Sequence, residues 1–128
     1  MGRLRQIVLD CRHQARLARF WAAALDDFEV LAYDDDEIAR LARLGLTPET
    51  DTCVIVIGPG LELCFQQVDV VPTPQRPIHL DICSTSRSLE VHRLVALGAT
   101  VREDFEKHTW MLDPEGNDFC VTDQSERA

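Results

Sequence analysis

The fold of this chain is decided by Asp113-Pro114-Glu115-Gly116-Asn117-Asp118-Phe119-Cys120, a turn that runs into a strand-patterned segment. This stretch closes the second of two similar halves. Ile7-Val8-Leu9-Asp10-Cys11 runs into a helix-patterned segment, and Ile78-His79-Leu80-Asp81-Ile82-Cys83 does the same later in the chain. A strand-then-helix unit that occurs twice within one short chain limits the fold to a few choices.

Length and composition fit one soluble globular domain. The chain has 128 residues, of which 45% are hydrophobic and 27% charged, values typical of a protein that can bury a core. With 13 basic and 22 acidic residues, the net charge of -9 disfavours nucleic acid as a partner, because phosphate binding needs clustered Lys and Arg.

Location and redox state follow from equally simple features. No run is apolar enough to span a bilayer, and the N-terminus lacks a hydrophobic signal region, so we expect a cytoplasmic protein without a membrane partner. The cysteines form an odd set without a C-x-x-C pair, which predicts reduced thiols rather than a disulfide framework. They are Cys11, Cys53, Cys64, Cys83 and Cys120.

Hydrophobic periodicity predicts strand-helix-strand-strand-strand twice, with a small helix inserted in the first copy. The Gly58-Pro59-Gly60 segment indicates a hairpin, and Gly98 ends the last helix. Residues 34–37 are expected to be a solvated acidic cap, and Ser84-Thr85-Ser86 offers hydroxyls to cap a helix. The predicted strands are 5–11, 28–33, 53–57, 61–68, 78–83, 100–103, 108–112 and 118–122, and the first two helices are 13–25 and 38–45.

Four segments in this order resemble the vicinal oxygen chelate superfamily, within it the glyoxalase-like domain group. They are Ala18-Arg19-Phe20-Trp21, His79-Leu80-Asp81, Ala96-Leu97-Gly98-Ala99 and residues 110–117, WMLDPEGN. The superfamily includes glyoxalase I, extradiol dioxygenases, and the bleomycin and fosfomycin resistance proteins. The resemblance implies an α+β fold of two βαβββ modules whose curled mixed sheets form a cleft. Module one would span about residues 4–68 and module two about 78–123, joined by a proline-containing linker at 69–77.

The resemblance also implies where a metal ion would bind. Metal-using members take His or Gln from the first strand of each module and Glu from the last. His79 and Gln6 match the first-strand positions, and Glu62 is the candidate on the fourth strand, although a two-residue shift would place Cys64 there. Cys120 stands where such members carry Glu, a departure that weakens the expectation of the standard metal site.

Strand parity sorts the side chains independently of any family. Residues two apart on a strand share a face, so His79 lies with Asp81, and Glu62 lies with Cys64. These more polar faces would line the ligand surface, while the apolar faces pack against helices. Trp21 is expected in the core. Trp110 is expected there too, with stacking on a flat ligand as the alternative.

Two functions remain open. One is a small-molecule-binding protein like the bleomycin resistance proteins, with contacts from Gln6, Trp110, Cys64 and Cys120. The other is a lyase, isomerase or dioxygenase-type enzyme acting on a small oxygenated or aromatic metabolite. Its catalytic residues would be His79, Glu62 and Asp81, with either no cofactor or one divalent ion (Zn, Ni, Mn or Fe) on His79, Glu62 and Gln6. The resemblance further implies a homodimer.

Overall fold

The computed structural model describes residues 4–69 and 79–123 of the chain. Two compact units result, Met1–Val71 and Pro72–Ala128. Three expectations lie outside the described residues: the proline-containing part of the linker, a strand start at Ile78, and the polar tail after residue 123. Within the described part, every helix is too short or too polar to cross a bilayer.

The first unit is a four-stranded mixed sheet with two helices. The sheet has the order β1-β4-β3-β2, and β1 runs parallel to β4 while the other pairs are antiparallel. The Gly58-Pro59-Gly60 hairpin is confirmed, since it joins the antiparallel strands β3 and β4. The elements are β1 (Gln6–Cys11), α1 (Gln14–Ala24), β2 (Glu29–Val30), α2 (Asp35–Arg43), β3 (Cys53–Gly58) and β4 (Leu61–Gln67).

The second unit repeats this arrangement without the inserted helix. Its sheet has the order β5-β8-β7-β6, and again only the first pair, β5 with β8, is parallel. The predicted α+β fold of two βαβββ modules is therefore confirmed. The elements are β5 (Leu80–Ser84), α3 (Arg87–Leu97), β6 (Thr100–Asp104), β7 (His108–Leu112) and β8 (Asp118–Asp123).

Each unit has its own core on one face of its sheet. In the first unit, α1 packs on β3 and β4 and buries Leu17 and Trp21 against them, as the helical periodicity predicted. In the second unit, Leu94 of α3 is fully buried. Alternate strand residues face these helices because side chains alternate across a sheet. The fully buried strand residues are Cys11, Val56, Leu63, Phe65, Met111, Phe119 and Val121.

Two helix starts differ from expectation. Helix α2 begins at Asp35, three residues early, because the Asp34 carboxylate accepts a hydrogen bond from the Glu37 backbone N–H at 2.8 Å and caps the helix there. Ser86 caps α3 without a side-chain bond, so the predicted hydroxyl cap is wrong. The Ser84 hydroxyl instead accepts from the Ser86 N–H at 3.1 Å, which closes the turn before the helix.

The predicted second strand is also shorter than expected. The strand predicted at residues 28–33 covers only Glu29–Val30. After it, the Leu31 N–H donates one more hydrogen bond to the Ile55 carbonyl oxygen at 2.8 Å, and the chain then leaves the sheet edge.

The Asp113 carboxylate organises the turn between β7 and β8. Its Oδ1 accepts from the backbone N–H groups of Glu115 and Asn117, both at 2.9 Å, and its Oδ2 accepts from the Asn117 amide at 2.6 Å. Gly116 adopts a φ of 81°, a left-handed conformation that glycine tolerates. Asp113 is itself buried, so the turn is fixed by an internal hydrogen-bond network and aligns β8 with β7.

Candidate functional site

The open face of the second unit, the sheet face away from α3, carries most of the predicted site residues. Strand register places Asp81 of β5 opposite Cys120 of β8, and Cys120 opposite Trp110 of β7. Directly opposed residues point to the same face of a sheet. Asp81, Cys120 and Trp110 therefore form one row across three strands.

His79 lies two residues before Asp81, on the same face and just before β5 begins. Its ring, the Asp81 carboxylate and the Cys120 thiol each offer one donor atom, and these atoms lie within 4.8 Å of one another. His79 Nε2 is 3.4 Å from Asp81 Oδ1, and the two side chains are 58% and 60% exposed. We call His79, Asp81 and Cys120 the open-face triad. Strand parity predicted that His79 and Asp81 lie together, and the β5–β8 register adds Cys120.

The donor chemistry of the open-face triad fits a divalent metal ion. Imidazole nitrogen, carboxylate oxygen and thiolate sulfur are the ligand types of zinc and related ions. Burial raises the pKa of the Cys120 thiol above its ordinary value, and the neighbouring Asp81 and Asp118 carboxylates raise it further. The thiol is therefore protonated near neutral pH. A bound cation would reverse this preference, since a coordinating thiol is deprotonated.

Trp110 lies on the open face, half-buried, and so the prediction that it packs in the core is wrong. Its indole N–H donates to Asp118 Oδ1 at 3.0 Å. The Arg102 guanidinium carbon lies 4.4 Å from the ring centroid, within the range of a cation–π contact. The ring is thus fixed between a carboxylate and a guanidinium beside Cys120.

Arg102 and Asp118 are site residues that the sequence reasoning missed. Asp118 shares parity with Cys120, so its place on the open face could have been found from the strand pattern. Arg102 could not, because it sits at an irregularity where the β6–β7 register shifts between Val101 and Glu103. A bulge re-aims a side chain, and the sequence carries no signal for it here.

In the first unit, Gln6 and Glu62 are brought together. They face each other in the β1–β4 register, and Gln6 Nε2 donates to Glu62 Oε2 at 3.1 Å. Arg5 Nε also lies 3.8 Å from the same carboxylate oxygen. Glu62 is therefore engaged by an amide and a guanidinium of its own unit. That Gln6 and Glu62 bind a metal with His79 stays a prediction.

Cys64 lies buried on β4, 5% exposed. Burial raises the pKa of its thiol to about 12, and a hydrogen bond with the Cys53 side chain contributes. Such a thiol is neutral and poorly nucleophilic. Its predicted role as a ligand contact stays a prediction.

The internal repeat identifies Cys64 as the counterpart of Cys120. Gln6 precedes the end of α1 by as many residues as His79 precedes the end of α3. Val8 and Cys64 therefore correspond to Asp81 and Cys120, the directly opposed pairs of the two parallel ladders. On the fourth strand, the repeat therefore favours Cys64 over Glu62 as the residue that corresponds to Cys120. It also places Val8 in the first unit where the second unit has Asp81.

A groove of about 530 Å³ lies in the first unit, away from the predicted site residues. It runs between the start of α1 and residues 46–52, and Arg12, Arg16 and Arg19 line it. Arg19 is engaged there by both carboxylate oxygens of Glu49, at 2.7 and 3.0 Å.

These features together define a class of protein. Two βαβββ modules of identical strand order, closed by the DPEGN turn, are the architecture of the vicinal oxygen chelate superfamily. The family model of the glyoxalase-like domain matches residues 6–122. The chain belongs to this family. Among curated proteins, none matches its sequence.

Solved structures with the same fold share little sequence with the chain. A glyoxalase/bleomycin resistance protein/dioxygenase family enzyme from Burkholderia phytofirmans PsJN is 13% identical, with a TM-score of 0.68 and coverage of 95% of this chain and 98% of that one. A glyoxalase-related enzyme from Fulvimarina pelagi is 13% identical, with a TM-score of 0.66 and coverage of 97% and 89%. The fosfomycin resistance protein FosX from Listeria monocytogenes is 16% identical, with a TM-score of 0.64 and coverage of 98% and 93%.

Proposed function

We propose that this protein binds a small planar molecule on the open face of its second unit, in the manner of a bleomycin-resistance-like protein. The observation that carries the proposal is the position of Trp110. A tryptophan on an open sheet face, held by Asp118 and Arg102, offers a large and rigid contact surface. Because its orientation is fixed before a ligand arrives, little conformational entropy is lost on binding.

The charges around Trp110 favour a cationic ligand. Asp118 contacts the indole directly, Asp81 lies in the same row as Trp110 two strands away, and the whole chain carries a net charge of -9. A negative field raises the local concentration of cations and their association rate. Arg102 opposes this locally, because its guanidinium carbon lies 4.4 Å from the ring centroid. A flat cation that stacks on this ring face therefore replaces the Arg102 contact, while the hydrogen bond to Asp118 still holds the indole.

A second candidate is an enzyme that acts on a small oxygenated or aromatic metabolite by acid/base chemistry. The observation that favours it is the His79–Asp81 pair at 3.4 Å. A carboxylate beside an imidazole orients the ring, which is a common arrangement for proton transfer. In this reading His79 exchanges the proton, Asp81 positions the ring, and Glu62 remains a candidate base.

Calorimetric titration with two cations tests the binding proposal: proflavine, which is small and planar, and bleomycin, a larger glycopeptide that carries a flat bithiazole group. We expect saturable binding of at least one of them to the wild-type chain. The Trp110→Ala variant should bind about tenfold or more weakly, which corresponds to about 1.4 kcal/mol of stacking energy. Trp110→Phe, which keeps an aromatic face, is the matched control and should retain most of the affinity.

Two results would overturn the proposal. One is the failure of both cations to bind the wild-type protein, and the other is equal affinity for wild type and Trp110→Ala. Turnover of a metabolite that is lost in His79→Ala but kept in Trp110→Ala would favour the enzyme instead.

We also propose that the chain forms a homodimer, the state that the family resemblance implies.

A further inference from the structure

We propose that the open-face triad is a metal site of the second unit alone, and that it binds one zinc-like divalent ion through nitrogen, oxygen and sulfur. This ligand set is not the set that the family resemblance implies. It uses Asp81, which the resemblance does not assign to a metal, and Cys120, which replaces the expected carboxylate. The proposal does not depend on the binding of a planar molecule.

Strand register delivers the three donors to one place. His79 and Asp81 are two residues apart and share a face, and Cys120 lies directly opposite Asp81 on the parallel neighbour. Their donor atoms already lie within 4.8 Å of one another. Ligand atoms around a tetrahedral zinc ion stand about 3.3 to 3.8 Å apart, given bonds of about 2.0 to 2.3 Å. Closing that gap needs only rotamer changes, which the exposed His79 and Asp81 side chains can make.

The donor types select the ion. Thiolate and imidazole favour borderline-soft cations such as Zn²⁺, Co²⁺ and Cd²⁺, whereas Mg²⁺ and Ca²⁺ prefer oxygen ligands alone. Three protein ligands leave one coordination position open on a four-coordinate ion. Trp110 is next in the row after Cys120, so the aromatic ring lies beside the proposed site.

The first unit provides an internal comparison. Its residues at the corresponding positions are Gln6, Val8 and Cys64, a set with an amide, an aliphatic group and a buried thiol. Among residues 4–69 and 79–123, the open-face triad is the one group of three His, Cys, Asp or Glu residues close enough to share an ion. We therefore expect one ion per chain and not one per module.

Cobalt titration of the full-length protein tests the proposal. The reduced, chelator-treated chain is titrated with Co²⁺, whose four-coordinate thiolate complexes show a sulfur-to-cobalt charge-transfer band and intense visible bands. We expect both in the wild type, saturating at one ion per chain. Zn²⁺ should abolish them by competition, and excess Mg²⁺ should leave them unchanged.

Variants identify the ligands. Cys120→Ser should lose the charge-transfer band, because an alcohol oxygen replaces the sulfur. His79→Ala and Asp81→Ala should each weaken cobalt binding about tenfold or more, because loss of even a supporting group around a bound metal weakens binding by about that factor. Cys83→Ser is the matched control, because Cys83 is an exposed free cysteine on the same strand face but outside the open-face triad. It should bind cobalt as the wild type does.

Three results would count against the proposed metal site. Absence of the charge-transfer band from the wild type overturns the proposal, and so does its persistence in Cys120→Ser. Loss of the band in Cys83→Ser would place the ion on another thiol. Circular dichroism of each variant identifies unfolding, and the conservative Asp81→Asn change retests the carboxylate if Asp81→Ala unfolds. Trp110→Ala should keep the band, so a failure of the planar-ligand proposal remains distinct from a failure here.

Discussion

The pKa of the Tyr33 phenol depends on its burial and on its contact with Asp51. Its hydroxyl donates to Asp51 Oδ2 at 2.9 Å. Burial raises the pKa of this phenol well above its ordinary value, and the hydrogen bond and the negative charge of Asp51 raise it further. The main chain of Asp51 also accepts from the Gln14 side chain at 2.6 Å. The loop before β3 therefore joins Tyr33 to the start of α1.

The raised pKa predicts how stability changes at high pH. Below the ordinary tyrosine pKa of about 10, both folded and unfolded chains keep the phenol protonated, and the contribution of Tyr33 is fully present. Above it, the unfolded chain releases the proton first, so stability falls as pH rises. Tyr33 is the single tyrosine of the chain. We expect its tyrosinate absorbance in the native protein to appear only together with alkaline unfolding.

Tyr33→Phe is the control for this titration. The variant cannot ionise at this position, so its free energy of unfolding, measured with urea, should depend less on pH above about 10. Titration of Tyr33 near its ordinary pKa in protein that remains folded would contradict the structure, since the phenol would then be free of Asp51.

At the scale of an element, the β7–β8 turn depends on one carboxylate. Asp113 accepts three hydrogen bonds within the turn, and two of them come from the buried Asn117. Removing the acceptor would leave those donors buried and without a partner, which is more costly than losing an exposed bond. The DPEGN motif therefore has a structural role independent of any chemistry on the open face.

Asp113→Ala should lower the free energy of unfolding by about 3 kcal/mol or more, because hydrogen bonds to charged groups contribute about 1.5 to 3 kcal/mol each. Urea denaturation followed by circular dichroism measures the change. Asp113→Asn keeps the shape and one carbonyl acceptor, so its loss should be smaller. An Asp113→Ala variant with the midpoint of the wild type would show that the turn does not depend on this network.

At the scale of the whole molecule, each module is an open sheet with two edges. Strand β6 ends one sheet and is exposed along its length, and the two-residue β2 ends the other. Edge strands present unpaired backbone groups that favour association unless they are covered. Among soluble homo-oligomers, symmetric dimers are the commonest.

Light scattering coupled to size exclusion tests the proposed homodimer. We expect the mass of two chains at micromolar concentration, with a shift toward one chain on dilution if the interface is weak. A single-chain mass across the whole concentration range would contradict the proposal. The measurement is independent of ligand and metal, so its result bears on assembly alone.

The sequence by itself determined the elements and the faces. Hydrophobic periodicity and turn residues act over a few positions, so the eight strands and three helices of the described residues, and the DPEGN turn, could be found without coordinates. Parity also placed the apolar strand faces toward the helices and His79 with Asp81, because alternation along one strand is a local property.

Tertiary structure alone decided how residues from different strands meet. The opposition of Cys120 to Asp81 and Trp110 depends on the registers of β5, β8 and β7, which no single segment encodes. The β1–β4 and β5–β8 registers together matched Cys64 to Cys120, and the β7–β8 register placed Trp110 on the open face instead of in the expected core. Arg102 reaches the Trp110 ring through an irregularity in strand pairing. Register is fixed by the burial of whole sheet faces and by turn geometry, and burying a sheet face requires segments that are distant in the sequence to come together.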